Sequence, residues 1–151
     1  MNIQTRFFGD IEINEEEIFV FPEGILGFED SRKFVLLDVP KNDLFKVLQD
    51  VERKYVSFII AVPWGIQGGY DISIPDEDLL RINIQRKEQA LVMNIVTMPE
   101  VIEKSTINLL APLVMNVDAR LGRQYVLSEG RYTTKHPLYF PDGGEAHADI
   151  K

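Results

Sequence analysis

The strongest constraint on the fold is a series of apolar runs that prolines interrupt. The segments Lys33–Val39 (KFVLLDV), 55–62 (YVSFIIAV) and 90–98 (ALVMNIVTM) are nearly continuous in apolar residues. Runs rich in Val, Ile and Phe favour strands that are buried on both faces. Proline cannot donate to a β-ladder and therefore marks strand ends. The prolines between the runs are Pro40, Pro63, Pro75, Pro99 and Pro112.

Further strands are indicated by shorter patterns. Residues 11–14 alternate apolar and polar side chains, and 44–48, 113–117 and 123–127 are shorter apolar segments. Helix is scarce, with a short one predicted after Pro75 and a second around residues 100–105. Many strands with few helices predict a mainly β, single-domain fold, either an antiparallel β-barrel or a sandwich-like fold, with one or two short helices.

Length and composition indicate one globular domain. The chain has 151 residues, of which 45% are hydrophobic. We expect a β domain over residues 1–140, followed by a flexible C-terminal tail over residues 141–151, because PDGGEAHADIK is polar and glycine-rich.

The charge of the chain favours some partners over others. Its net charge of -8 disfavours direct nucleic-acid binding, which relies on clustered Lys and Arg. An acidic surface suits a basic protein partner, although such a charge also simply keeps a small domain soluble. There is no apolar run of 18 residues, no secretory signal pattern and no cysteine, so we expect a cytoplasmic protein without membrane association.

The sequence offers little for catalysis, and we expect neither an enzyme nor a metal or cofactor site. The two histidines, His136 and His147, do not have metal-ligand spacing. Gly65, Gly68 and Gly69 lack the Lys-Ser/Thr of a phosphate loop and are interpreted as a hairpin turn. Runs of acids, such as residues 15–17 and 76–78, are typical of solvated faces.

One loop, FPEGILGFE at residues 21–29, is unusually apolar. Gly24 and Gly27 permit positive φ, Pro22 fixes its own φ, and large apolar residues including Phe21 and Phe28 surround them. Such a loop either closes the end of a β-barrel or presents its side chains to a partner.

A second distinctive segment, TINLLAPLVMN at residues 106–116, predicts two short strands joined by a bend. Pro112 interrupts the apolar pattern and restricts Ala111 to an extended conformation. Asn108 and Asn116 can cap the turns on either side through their side chains.

Four motifs in this order resemble the FliW family of flagellar assembly factors. They are FPEGILGFE at 21–29, SFIIAVPW at 57–64, TINLLAPLVMN at 106–116 and GRQYVL at 122–127. The similarity runs from about Ile3 to Leu127. Where the family commonly has proline in the first motif, this chain has Leu26.

The resemblance implies a cytoplasmic regulator without enzymatic activity and without a cofactor. Members of the family bind CsrA, a small dimeric RNA-binding protein that represses flagellin translation, and they also bind the C-terminal region of flagellin. CsrA is bound away from its RNA-contacting surface, so the antagonism is non-competitive. When flagellin accumulates, it occupies the FliW protein, and CsrA is released.

The acids around the predicted short helix are the candidate partner contacts, namely Asp71, Asp76, Glu77 and Asp78. Two other functions stay open at this point. One is a flagellin-specific export chaperone without a translational role, and the other is a carboxylate-dependent hydrolase on a β-barrel, which the residue inventory disfavours.

Overall fold

The computed structural model describes residues 1–128 and 130–138, and over that part of the chain it is a closed β-barrel. The expected tail at residues 141–151 lies outside the described residues, as does the end of the expected 1–140 domain. The prediction of a mainly β fold is confirmed, and of the two architectures considered, the structure has the barrel.

The strands of the described chain are β1 (Asn2–Gln4), β2 (Asp10–Glu12), β3 (Phe19–Val20), β4 (Lys33–Val39), β5 (Asn42–Asp50), β6 (Ser57–Ala61), β7 (Ala90–Thr97), β8 (Thr106–Ile107), β9 (Leu113–Asn116), β10 (Leu121–Gln124) and β11 (His136–Pro137). Seven of them close the barrel in the order β7-β6-β5-β4-β3-β10-β9, with β9 returning to β7. Strand β1 pairs with β2 outside the barrel, β8 pairs with the end of β7, and β11 pairs with β8.

The strand pairings are antiparallel except for β3 and β10, which meet in parallel at Val20 and Leu121. A parallel pair needs a long crossover, and here the intervening strands of the barrel supply it. This short parallel contact joins the first barrel strand to the last hairpin, β9–β10.

Almost every strand of the barrel wall contributes one or two large side chains to the interior. These side chains alternate along each strand with residues that face outward. The interior cluster consists of Phe19, Phe21, Ile25, Phe34, Leu48, Ile60, Met93, Leu113 and Met115.

Separate apolar clusters cover the outer face of the barrel. The β1–β2 hairpin packs Ile3 and Ile13 against Val35 of β4. Helix α1 (Asp76–Leu80) and the residues after it pack Ile82 and Ile84 against Val114 of β9. The long runs are therefore buried on both faces where these segments cover them.

The local predictions are mostly confirmed. Lys33–Val39 has the predicted bounds, and α1 begins directly after Pro75. The second predicted helix is a single 3-10 turn, Ile102–Lys104. The last predicted strand starts and ends earlier, at Leu121–Gln124.

The predicted hairpin turn at Gly65–Gly69 is wrong. Strand β6 pairs with β5 and β7, so these glycines lie in the long connection from β6 to α1. Ile66 and Tyr70 are buried in an outer cluster, and the Tyr70 hydroxyl donates to the Leu109 carbonyl at 2.7 Å. Burial of these two side chains holds the segment against the barrel as a covering loop.

Candidate partner-binding surface

The inner half of the 21–29 loop closes the barrel. Phe21 is fully buried, Ile25 is 2% exposed, and both belong to the interior cluster. The ring of Phe21 meets that of Phe34 edge to face, with centroids 5.4 Å apart. This half of the loop therefore has the structural role that the sequence suggested.

Both glycines of the loop have the predicted left-handed backbone, with φ of 68° at Gly24 and 86° at Gly27. They differ in the space around them. A Cβ at Gly24 would lie 2.6 Å from the Glu29 Cα, whereas a Cβ at Gly27 would meet nothing within 4 Å. Gly24 is thus required by conformation and by close approach, and Gly27 by conformation alone.

The outer half of the loop is a tight turn between Ile25 and Phe28, which form an antiparallel bridge. At this turn Leu26 is 61% exposed and Phe28 is 43% exposed. Pro22 is also exposed, next to the buried Phe21. We call Leu26, Gly27 and Phe28 the loop tip. It offers apolar surface to solvent.

The bend at residues 106–116 has the predicted caps. The Asn108 Oδ1 accepts from the Leu110 and Ala111 amides at 3.1 and 2.9 Å, just before Pro112. The Asn116 Oδ1 accepts from two amides of the β9–β10 turn, both at 2.9 Å. In addition, the Asn116 Nδ2 donates to the Ile82 carbonyl, which ties the turn to the segment after α1.

The four candidate acids differ in exposure and in ion pairing. Asp76 and Glu77 lie on α1 with exposed side chains, and no ion pair joins them to another described residue. Asp71 is exposed in the covering loop before the helix, where its carboxylate lies 3.8 Å from the Arg131 guanidinium. Asp78 is different, because its side chain is 16% exposed and bonded to Arg123.

Arg123 on β10 connects the helix to the loop. Its Nη1 donates to the Asp78 Oδ1 at 3.0 Å, and its Nε lies 3.6 Å from the Glu23 Oε2. Gln124, the next residue, accepts from the Leu26 amide at 2.9 Å and donates to the Ala111 carbonyl. Sequence reasoning noted the motif around Arg123 but missed this role, because its partners lie far away along the chain.

The described residues hold no cluster of metal-ligating side chains. Over residues 1–128 and 130–138, no group of three or more His, Asp or Glu side chains could hold a metal ion. Burial raises the pKa of Tyr70 to about 12, and its hydroxyl is occupied by the Leu109 carbonyl and the Asn94 amide. In the same part of the chain no helix is long and apolar enough to cross a membrane.

Comparisons with known proteins agree with this architecture. The family model described as "FliW protein" matches residues 2–138, which extends the resemblance beyond Leu127. The flagellar assembly factor FliW of Natranaerobius thermophilus is 38% identical over 151 residues, covering 99% of this chain and 100% of the relative. That of Clostridium botulinum (strain Langeland) is 37% identical over 139 residues, covering 92% of this chain and 97% of the relative.

A solved structure gives the same result. A crystal structure of the flagellar assembly factor FliW superimposes with a TM-score of 0.86 at 34% identity, covering 94% of this chain and 99% of that one. The barrel is therefore that of a flagellar assembly factor. The chain belongs to the FliW family, and its general role is in flagellum assembly.

Proposed function

We propose that this chain is a cytoplasmic regulator that binds CsrA and antagonises it non-competitively, with the C-terminal region of flagellin as its alternate partner. The free chain sequesters CsrA and permits flagellin translation, whereas the chain that is occupied by flagellin releases CsrA. The observation that carries the proposal is the combination of a FliW barrel, a net charge of -8 and two exposed acids on α1. These acids, Asp76 and Glu77, form no ion pair within the described chain.

The charge supports the antagonism physically. An RNA-binding protein attracts phosphates through its positive potential, and a docked acidic domain lowers that potential without touching the RNA path. This mechanism needs no catalytic group, cofactor or contact between this chain and nucleic acid.

Direct binding tests the proposal against its closest alternative. The chain is immobilised, and purified CsrA and flagellin are applied separately. We expect both to bind. Retention of flagellin without CsrA would instead support an export chaperone that has no translational role.

The α1 acids give a first prediction about affinity. Asp76→Lys together with Glu77→Lys should weaken CsrA binding. It should lower the melting temperature only slightly, because both side chains are exposed and lose little beyond their favourable place in the first turn of α1. Asp78→Lys should also cost on the order of 2 kcal/mol of folding free energy, because it places a like charge against the partly buried Arg123.

Titration calorimetry and thermal melting check these variants together. The conservative pair Asp76→Asn and Glu77→Gln should have an intermediate effect on affinity. Unchanged CsrA affinity of the Lys variant at low salt would rule out α1 as a partner contact.

Salt dependence gives a second prediction, about mechanism. Exposed charges act over a Debye length of roughly 10 Å at 0.1 M salt and about 3 Å at 1 M. If the antagonism is electrostatic, raising the salt should restore RNA binding to CsrA that is still saturated with this chain.

The measurement is the RNA affinity of the saturated complex across a salt series, divided by that of CsrA alone. The ratio should approach one as the salt rises. A constant ratio would favour direct occlusion or a salt-independent conformational change.

A further inference from the structure

The loop tip exposes more apolar surface than closing the barrel requires. Phe21 and Ile25 already close the barrel, while Leu26 is 61% exposed at the far side of the same turn. Phe28 is only partly covered, by an edge-to-face contact with Phe58 at a centroid distance of 5.1 Å. An isolated exposed apolar residue is ordinary, but two within one tight turn form a patch.

The tip is also held in one conformation. The Leu26 amide donates to the Gln124 Oε1 at 2.9 Å, and the Gly27 amide donates to the Glu29 Oε2 at 3.1 Å. The Phe28 amide closes the turn onto the Ile25 carbonyl at 2.6 Å. A surface that is ordered before binding loses little conformational entropy when a partner arrives.

Acidic groups flank the apolar tip. Glu23 and Glu29 precede and follow it, and the Glu23 side chain is 65% exposed. Arg123 contacts both Glu23 and Asp78, so it brings the loop and α1 to one side of β10. Two arginines lie close to these acids: Arg123 is shared between Glu23 and Asp78, and the Arg32 Nε donates to the Glu29 backbone carbonyl at 3.2 Å. Residues 21–32 themselves carry three acids and one base, so the surface around the tip keeps a net negative charge.

We propose that the loop tip docks a basic, amphipathic segment of a protein partner. Leu26 and Phe28 take the apolar side chains of that segment, and the flanking carboxylates take its Lys or Arg residues. An apolar centre with a charged rim is the usual anatomy of a specific interface. The basic character of the occupant is inferred from this charge complementarity. The inference rests on the proposed function, because CsrA, the basic partner, serves as the probe.

The test compares three variants in binding to purified CsrA. Leu26→Ser removes the apolar side chain from an exposed position and should weaken binding about tenfold or more. Leu26→Met keeps an apolar group and should bind as the wild type does. Phe7→Ser is the matched control, because Phe7 is 48% exposed and lies beside Val39 and Asn42, at the far end of β4 from the loop.

The charged rim is tested by Glu29→Gln, whose amide oxygen can still accept from the Gly27 amide. It should weaken CsrA binding several-fold at low salt, with the difference disappearing at high salt. Equal affinity of this variant and the wild type at low salt would contradict the basic character of the segment.

The outcomes separate this proposal from the proposed function. If the wild-type chain and the Leu26→Ser variant bind CsrA equally well, the docking site is contradicted and the proposed function is not. The docking site is also contradicted if Leu26→Ser and Phe7→Ser lose the same amount of CsrA affinity. A Leu26→Ser variant that loses flagellin binding but keeps CsrA binding contradicts it as well. Wild-type chain that binds no CsrA overturns both. Thermal melting of each variant verifies that the fold is intact.

Discussion

Replacing Gly24 with alanine should lower the free energy of unfolding by about 3 kcal/mol, whereas the same change at Gly27 should cost about 1 kcal/mol. Both glycines have positive φ, and strain from that backbone conformation is common to the two variants. Only at Gly24 would the new methyl group also overlap backbone atoms of Glu29, at 2.6 to 2.8 Å. Backbone atoms cannot move aside as a flexible side chain can.

Urea denaturation of the two alanine variants measures this difference. In a thermal melt, the midpoint of the Gly24 variant should lie roughly 10 °C below that of the wild type for a domain of this size. Equal destabilisation of the two would show that conformation alone matters at Gly24 and that the loop relaxes around the overlap.

The second large effect is expected at Gly122 on β10. A Cβ there would lie 2.4 Å from the nearest ring atom of Phe21, which is fully buried. Gly122→Ala should therefore destabilise the protein by about 2–3 kcal/mol, the usual cost of overpacking a core. The bare backbone at Gly122 thus makes room for the Phe21 ring and brings the GRQYVL segment into contact with the loop.

A double-mutant cycle isolates this contact. Phe21→Leu alone should also destabilise, because it removes part of a buried ring. The double variant should lose less than the sum of the two, because the alanine methyl group fills space that the ring has left. Additive losses would show that the Gly122 effect arises elsewhere.

The strands could be predicted from the sequence, but the closure of the barrel could not. Long apolar runs such as Lys33–Val39 carry the strand signal in themselves, and the prolines bound them. The parallel pair of Val20 and Leu121 involves a strand of two residues, too short for any periodicity. Its register depends on how the remaining strands are assembled.

The hairpin prediction for residues 65–69 fails for a related reason. Local glycine content predicts a turn, and nothing local shows that the chain continues as a cover over the barrel. That outcome depends on Tyr70, whose hydroxyl reaches Leu109, 39 positions away along the chain.

The candidate surface shows the same limit. Sequence reasoning grouped Asp76, Glu77 and Asp78 as equivalent, since all three lie in the first turn of one helix. The structure distinguishes Asp78 through its ion pair with Arg123, 45 positions away along the chain. Likewise, the split of the 21–29 loop into a buried half and an exposed tip depends on β10, against which the loop packs.

The exchange of partners is tested most directly by competition. The complex of this chain with CsrA is formed with labelled flagellin messenger RNA present, and flagellin is then titrated in. The account predicts that flagellin displaces CsrA from the chain and that RNA binding by CsrA recovers in proportion. A ternary complex of chain, CsrA and flagellin in which RNA binding stays suppressed would contradict it.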